Sequence, residues 1–206
     1  MSHVLDIKYA GEPLNSAKKA LIMLHGRGAS AESILTIADH LNVNGYTLLA
    51  PQATNSTWYP HSFMAAEEEN EPWLSSAIDI VKQTVDKVLE AGIEAKDIYF
   101  FGFSQGACLA TEYVTRNAQR YGGIAVLTGG LIGKEINRSK YIGDFAQTPI
   151  FFGTSDPDFH VPVERVHTSV NVTSEMNADV AIKVYPDRGH TISEDEINIV
   201  NSLIFK

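Results

Sequence analysis

Cysteine is almost absent: the 206 residues contain one, Cys108. A lone thiol excludes an internal disulfide and fits a reducing compartment. Long apolar runs are missing too. None approaches the ~20 residues that a membrane-spanning helix requires. The opening stretch Met1–Ala10 has no basic segment followed by an apolar core, as a secretory leader would. Membrane insertion is therefore not expected, and a cytoplasmic location is. Positive charge is scarce: 16 Lys and Arg against 25 Asp and Glu leave a formal net charge of −9. That balance repels phosphate backbones and anionic lipid, and argues against a nucleic-acid partner. The densest acidic run, Glu67, Glu68, Glu69 and Glu71, reads as a solvated loop. Repeats, low-complexity tracts and flexible linkers are also lacking, so residues 1–206 are expected to form a single domain with a sizeable core.

What is present is alternation. Short apolar runs at Ala20–Leu24, Tyr46–Ala50, Ile98–Phe103, Gly123–Leu127, Pro149–Phe152 and Ala181–Tyr185 are separated by segments of helical period. The runs are too short for buried helices and mostly apolar on both faces, as strands of a parallel sheet covered by helices must be. Val4–Lys8 could add an antiparallel edge strand. The intervening helices are expected from a Ser30 cap to about Leu41, and from Ser75 or Ser76 to about Glu90. Three more should run from Ser104 to about Arg120, from near Pro162, and from Ser193 to about Leu203. Ile78, Val81, Val85 and Val88 mark the buried face of the second. The pattern predicts a doubly wound, mostly parallel α/β sheet. In such sheets ligands bind beyond the carboxyl ends of the strands, which directs attention to the residues following each run.

Ile98–Phe101 leads into Gly102-Phe103-Ser104-Gln105-Gly106, and a helical segment follows. This is G-x-S-x-G in a strand–turn–helix setting, the arrangement that exposes a nucleophilic serine. A turn this tight needs residues nearly free of side chain two positions to either side of the serine. It aims the Gln105 amide and the helix N-terminus at the point where an oxyanion would form. Cys108, one helical turn on, reads as a small buried apolar residue. A serine nucleophile needs a neutral base and an acid that orients it, in the chain order Ser, Asp or Glu, His for this turn. His160, His167 and His190 follow Ser104. His167 falls within an expected helix, at a surface position, whereas His190 directly follows the last strand in a loop able to reach the sheet end. His190 is the expected base, so activity should fall as pH drops through its titration. For the acid, Asp156 and Asp158 compete in Gly153-Thr154-Ser155-Asp156-Pro157-Asp158-Phe159-His160-Val161-Pro162. The Asp-x-Asp-x-His spacing hints at a metal, but supporting ligands are lacking, and neither metal nor cofactor is expected. The first strand ends in His25-Gly26-Arg27-Gly28, whose Arg27 amide is the expected second oxyanion donor, with His25 bracing the loop.

Leu24-His25-Gly26-Arg27-Gly28, Gly102-Phe103-Ser104-Gln105-Gly106 and the late Gly189-His190, in this order, resemble the phospholipase/carboxylesterase family of α/β-hydrolases, which includes acyl-protein thioesterases and small bacterial carboxylesterases. The similarity runs from about Lys19 to Phe205. The resemblance implies an α/β-hydrolase fold, and the connections of this chain, short except from Pro51 to Pro72, leave no room for a large lid. It gives Ser104 and His190 the nucleophile and base roles, and the backbones of Arg27 and Gln105 the oxyanion roles. The family's acid loop commonly reads G-x-x-D-x-x-V-P. Here Gly153 and Asp156 fit from the left, Asp158, Val161 and Pro162 from the right, and the loop is two residues longer. The Val-Pro anchor, which fixes how the next helix begins, favours Asp158.

Together these readings imply a serine hydrolase acting on a small-molecule ester or thioester, such as a carboxylic ester or a lysophospholipid, through an acyl-enzyme. The aromatic stretch Trp58-Tyr59-Pro60-His61-Ser62-Phe63 is expected near the sheet end, with Trp58, Tyr59 and Phe63 lining the substrate cleft, so that replacing Trp58 should raise KM. Two other readings compete. Gly26-Arg27-Gly28-Ala29-Ser30-Ala31 matches a dinucleotide fingerprint, but the second strand ends in Leu49-Ala50-Pro51 without the required acid. A non-catalytic ligand-binding protein on the same scaffold would be expected to have lost catalytic residues, which are all present here. The fold is compatible with either a monomer or a homodimer.

Overall fold

The computed structural model describes residues 2–206. Seven strands form one sheet in the order β1-β3-β2-β4-β5-β6-β7. They are β1 (Ile7–Gly11), β2 (Lys19–Leu24), β3 (Tyr46–Pro51), β4 (Ile98–Phe103), β5 (Gly123–Leu127), β6 (Pro149–Asp156) and β7 (Asp179–Pro186). Only β1 is antiparallel, pairing Ile7 with Pro51 and Gly11 with Thr47. It lies three residues later than the Val4–Lys8 run predicts. The helices are α1 (Ala31–Leu35), α2 (Glu67–Asn70), α3 (Trp73–Glu90), α4 (Gln105–Arg116), α5 (Val163–Glu175) and α6 (Glu194–Leu203).

The strands are apolar on both sides because both sides are covered. Alternate residues of β2 and β4 enter different cores, as the period-two geometry of a strand requires. Ile22, Leu24 and Phe100 pack with α3, α4 and α5 through Val81, Val85, Leu109 and Val166. Leu21, Met23 and Phe101 pack with α1 and α6 through Ile34, Ile197 and Val200.

Several boundaries differ from the sequence reading. The Ser30 side chain caps α1 by accepting from the Ser33 amide, but the helix gives way to a 3-10 turn at Thr36–His40. The α3 helix starts at Trp73 rather than after Ser75 or Ser76; Pro72 precedes it, and Glu71 takes the capping role, accepting from the Ser75 amide and hydroxyl. The α4 helix stops at Arg116 instead of Arg120. The acidic run is not simply a solvated loop, because α2 forms within it and Glu67 pairs with Arg116 and Lys140. Most consequential for the site, β6 continues past Phe152 to Asp156 in full register with β7, Asp156 lying opposite Pro186.

Candidate active site

Ser104 follows the last residue of β4 and precedes the first of α4, with φ 54° and ψ −121°. This left-handed backbone is costly for any residue with a Cβ, and such conformations collect at functional turns. The two flanking glycines are set by contact. A Cβ on Gly102 would lie 2.6 Å from the Ala107 Cα, and one on Gly106 would lie 2.1 Å from the Leu24 carbonyl oxygen. Close approach of α4 to β2 and β4 thus dictates G-x-S-x-G.

Two loops bring side chains to Ser104. The His190 Nε2 atom lies 2.8 Å from Ser104 Oγ, and its Nδ1 atom lies 2.8 Å from Asp158 Oδ2. The other Asp158 oxygen, Oδ1, accepts from the amides of His160 (2.7 Å) and Val161 (3.0 Å). Burial works to raise the Asp158 carboxyl, but the His160 amide, the His190 ring and the Val161 amide outweigh it and hold the group below its ordinary value. A charged Asp158 must accept from Nδ1–H. That fixes the tautomer and leaves Nε2 as acceptor for the Ser104 hydroxyl. Asp156 is exposed at the end of β6 and uses its backbone carbonyl to accept from the Asp187 amide. Of the two competing aspartates, only Asp158 meets His190.

The His190 loop is itself held in place. The Gly189 amide donates to the Ser155 hydroxyl at 3.1 Å, and that hydroxyl donates to the Tyr185 carbonyl. His160 is exposed and meets His190 edge to face, with ring centroids 5.0 Å apart. His167 is exposed on α5, outside the site.

Arg27 and Gln105 differ in how their backbone and side chains are engaged. Among the described residues, neither backbone amide donates to a protein acceptor, so both are available to an oxyanion. Their side chains fasten the aromatic loop. The Arg27 guanidinium donates to the carbonyls of Tyr59 (2.9 Å), Pro60 (2.9 Å) and His61 (2.8 Å). The Gln105 amide side chain accepts from the Trp58 backbone (2.9 Å) and donates to the Tyr59 carbonyl (2.8 Å). His25 braces the same region. Its Nε2 accepts from the Ala53 amide, so its Nδ1–H donates to the Gly26 carbonyl, and burial lowers its basicity. Its own carbonyl accepts from the Trp58 indole at 2.9 Å.

A cleft of about 650 Å³ opens over Ser104 and His190. Tyr59 and Phe63 line it, as the sequence predicts. Trp58 does not, and that expectation is corrected: its side chain is fully buried between the rings of His25 and His3. Its polar N–H and large ring area are both satisfied inside, so it supports the wall rather than facing substrate. Cys108 reaches the floor of the cleft, where burial pushes its thiol up to about 12, so it stays neutral and unreactive near pH 7. Phe159, His160 and Val161 also line the cleft, a role the sequence reading did not assign them. Their position directly after the acid was the available signal. Among the described residues, no group of three or more His, Cys, Asp or Glu side chains is placed to hold a metal ion, and no helix is long and apolar enough to cross a membrane.

The sequence profile of the phospholipase/carboxylesterase family matches residues 7–206. The chain belongs to this family. Within it, the fold is that of the α/β-hydrolases: one seven-stranded, mostly parallel sheet with helices on both faces. The crystal structure of a phospholipase/carboxylesterase from Dyadobacter fermentans is similar over 100% of this chain and 99% of its own, at 51% identity and a TM-score of 0.99. Among curated relatives, a probable carboxylesterase of Arabidopsis thaliana is 28% identical over 138 residues, covering 67% of this chain and 53% of the plant protein. The match thus spans about half the length of that relative. Acyl-protein thioesterase 1 of Saccharomyces cerevisiae is 28% identical over 170 residues, 81% of this chain and 73% of the yeast protein.

Proposed function

We propose that this chain is a serine hydrolase that cleaves small carboxylic esters or thioesters through an acyl-enzyme on Ser104. The observation that carries the reading is the unbroken chain Ser104 Oγ, His190 Nε2, His190 Nδ1, Asp158 Oδ2, with 2.8 Å at each hydrogen bond, opening into a cleft. Membership in a family with carboxylesterase and thioesterase relatives supports the same chemistry.

The steps follow from the geometry. His190 takes the proton of Ser104 as Oγ attacks the substrate carbonyl carbon. Asp158, held as a carboxylate, stabilises the imidazolium. The oxyanion is received by the amides of Arg27 and Gln105, and the partial positive charge at the start of α4 favours it. The imidazolium then returns its proton to the departing alcohol or thiol. Water repeats the sequence on the acyl-enzyme, releasing the acid and restoring Ser104. None of these steps requires a cofactor.

The test is hydrolysis of p-nitrophenyl esters by wild type, Ser104→Ala, Asp158→Asn and Asp156→Asn. Ser104→Ala and Asp158→Asn should each lose about 10⁴-fold or more in kcat, with Asp156→Asn near wild type. An activated phosphonate should label Ser104 and no other residue. A Ser104→Ala variant retaining wild-type rates, or a wild type that neither turns over esters nor takes the label, overturns the reading in favour of a non-catalytic binding protein.

A further inference from the structure

Phe159 is 97% exposed, yet it belongs to the lining of the cleft. Its position is fixed. It is the apex of a turn closed by the Asp158 carboxylate, whose Oδ1 accepts from the amides of His160 and Val161 at 2.7 and 3.0 Å, and Val161 is buried behind it. A large aromatic ring is therefore held in water by the same carboxylate that orients His190. No protein contact explains this placement, and an apolar surface held at the mouth of a cleft is suited to an apolar ligand group.

The direction of the reaction says which group. Tyr59 is tied through its carbonyl to the side chains of Arg27 and Gln105, the residues whose amides face the oxyanion, and Phe63 lines the same cleft. Phe159 and His160 belong to the turn beside the imidazole: the Asp158 carboxylate closes that turn, and the His160 ring meets that of His190 at 5.0 Å. As the bond from Ser104 Oγ to the acyl carbon forms, the bond from that carbon to the alcohol oxygen breaks, and the alcohol leaves with the proton from His190 Nε2. The leaving group must therefore lie on the imidazole side, beside Phe159. We propose that Phe159, with His160 next to it, forms a leaving-group subsite that selects esters whose alcohol or thiol portion carries an extended alkyl or aryl group, while the acyl portion rests against Tyr59 and Phe63. This rests on the reading of Ser104 as the nucleophile.

The test compares two ester series. In one, butyrate is esterified to methanol, butanol, hexanol or benzyl alcohol; in the other, methyl esters carry acyl chains from acetyl to octanoyl. Alkyl alcohols differ little as leaving groups, so a trend in the first series reports binding. Wild-type kcat/KM should rise with alcohol size, and Phe159→Ala should reduce the hexyl-to-methyl ratio roughly tenfold, the scale expected for one to two buried methylenes. Phe159→Leu should keep most of that ratio, and in both variants the methyl-ester series should keep the wild-type dependence on acyl length. Because Phe159 packs against nothing, these variants should melt at the wild-type temperature. If the alcohol profile is the same in wild type and Phe159→Ala, or if the loss falls on the acyl series, the subsite is refuted while the hydrolase stands. If wild type cleaves no methyl ester and phosphonate fails to label Ser104, the hydrolase reading itself has failed, and the subsite with it.

Discussion

The guanidinium of Arg188 forms an ion pair with the carboxylate of Glu196, whose side chains are 11% and 0% exposed. Arg188 lies two residues before His190, and Glu196 lies in the first turn of α6, where it also accepts from the Ser193 amide. The same guanidinium donates to Thr128 beyond the end of β5 and stacks over the Tyr185 ring at 4.6 Å. The loop carrying the imidazole is thus tied to three elements. A buried pair is costly to break from one side, because the remaining charge stays out of water. Glu196→Gln should lower stability by about 3–5 kcal/mol, measured by urea unfolding. Adding Arg188→Met should recover part of the loss, because the stranded charge is then gone. A double variant no more stable than Glu196→Gln would contradict this account.

Asp158 carries a pH prediction. Its carboxyl is held below its ordinary value against the opposing effect of burial. A depressed carboxyl contributes stability above its unfolded titration, and that contribution is lost as pH falls through the folded value. From pH 5 to pH 8 Asp158 is therefore charged throughout, and a decline in activity over that window reports another group. The stability gap between wild type and Asp158→Asn should persist from pH 8 down to pH 5 and close only below the ordinary carboxylate range. A gap that closes near pH 6 would show that the acid is not held as the hydrogen bonds imply.

Gly106 and Gly28 make a matched pair for testing the nucleophile turn. A Cβ on Gly106 would meet backbone atoms of Leu24 and His25 at 2.1 to 2.6 Å, none of which can rotate away. Gly28 has a φ of +77° with nothing within 4 Å. Gly28→Ala should cost about 1–2 kcal/mol, from backbone strain alone. Gly106→Ala should cost more than about 3 kcal/mol, the upper range for overpacking, because the helix must move off the sheet. Thermal melts of the two variants would decide; equal losses would mean that contact does not set the motif.

Trp58 tests the correction made by the structure. Its ring is fully buried and its indole N–H is bonded to the His25 carbonyl. Trp58→Ala should cost about 3–5 kcal/mol of stability. The fraction that remains folded should keep a near-normal KM for short esters, provided rates are normalised to phosphonate-titrated sites. A raised KM with unchanged stability would restore the reading of Trp58 as a substrate contact.

Apolar runs at Ala20–Leu24, Ile98–Phe103 and Gly123–Leu127 are visible in the sequence because burial on both faces leaves no room for polar residues. The G-x-S-x-G turn is visible because close approach of α4 admits only glycine two positions to either side of Ser104. Local chemistry settles features of this kind, and the sequence alone determines them: a doubly wound sheet, a serine at the end of β4 and a histidine after the last strand. The choice between Asp156 and Asp158 is different. It depends on how far β6 stays paired with β7, and register is a property of two strands distant in sequence. Pairing to Pro186 holds Asp156 at the strand end and lets the next turn carry Asp158 to His190. The fate of Trp58 is likewise decided by partners at a distance, His3, His25 and Gln105, which enclose it. A buried ring and a cleft-facing ring satisfy the same aromatic pattern in sequence; only the tertiary packing around each one separates them.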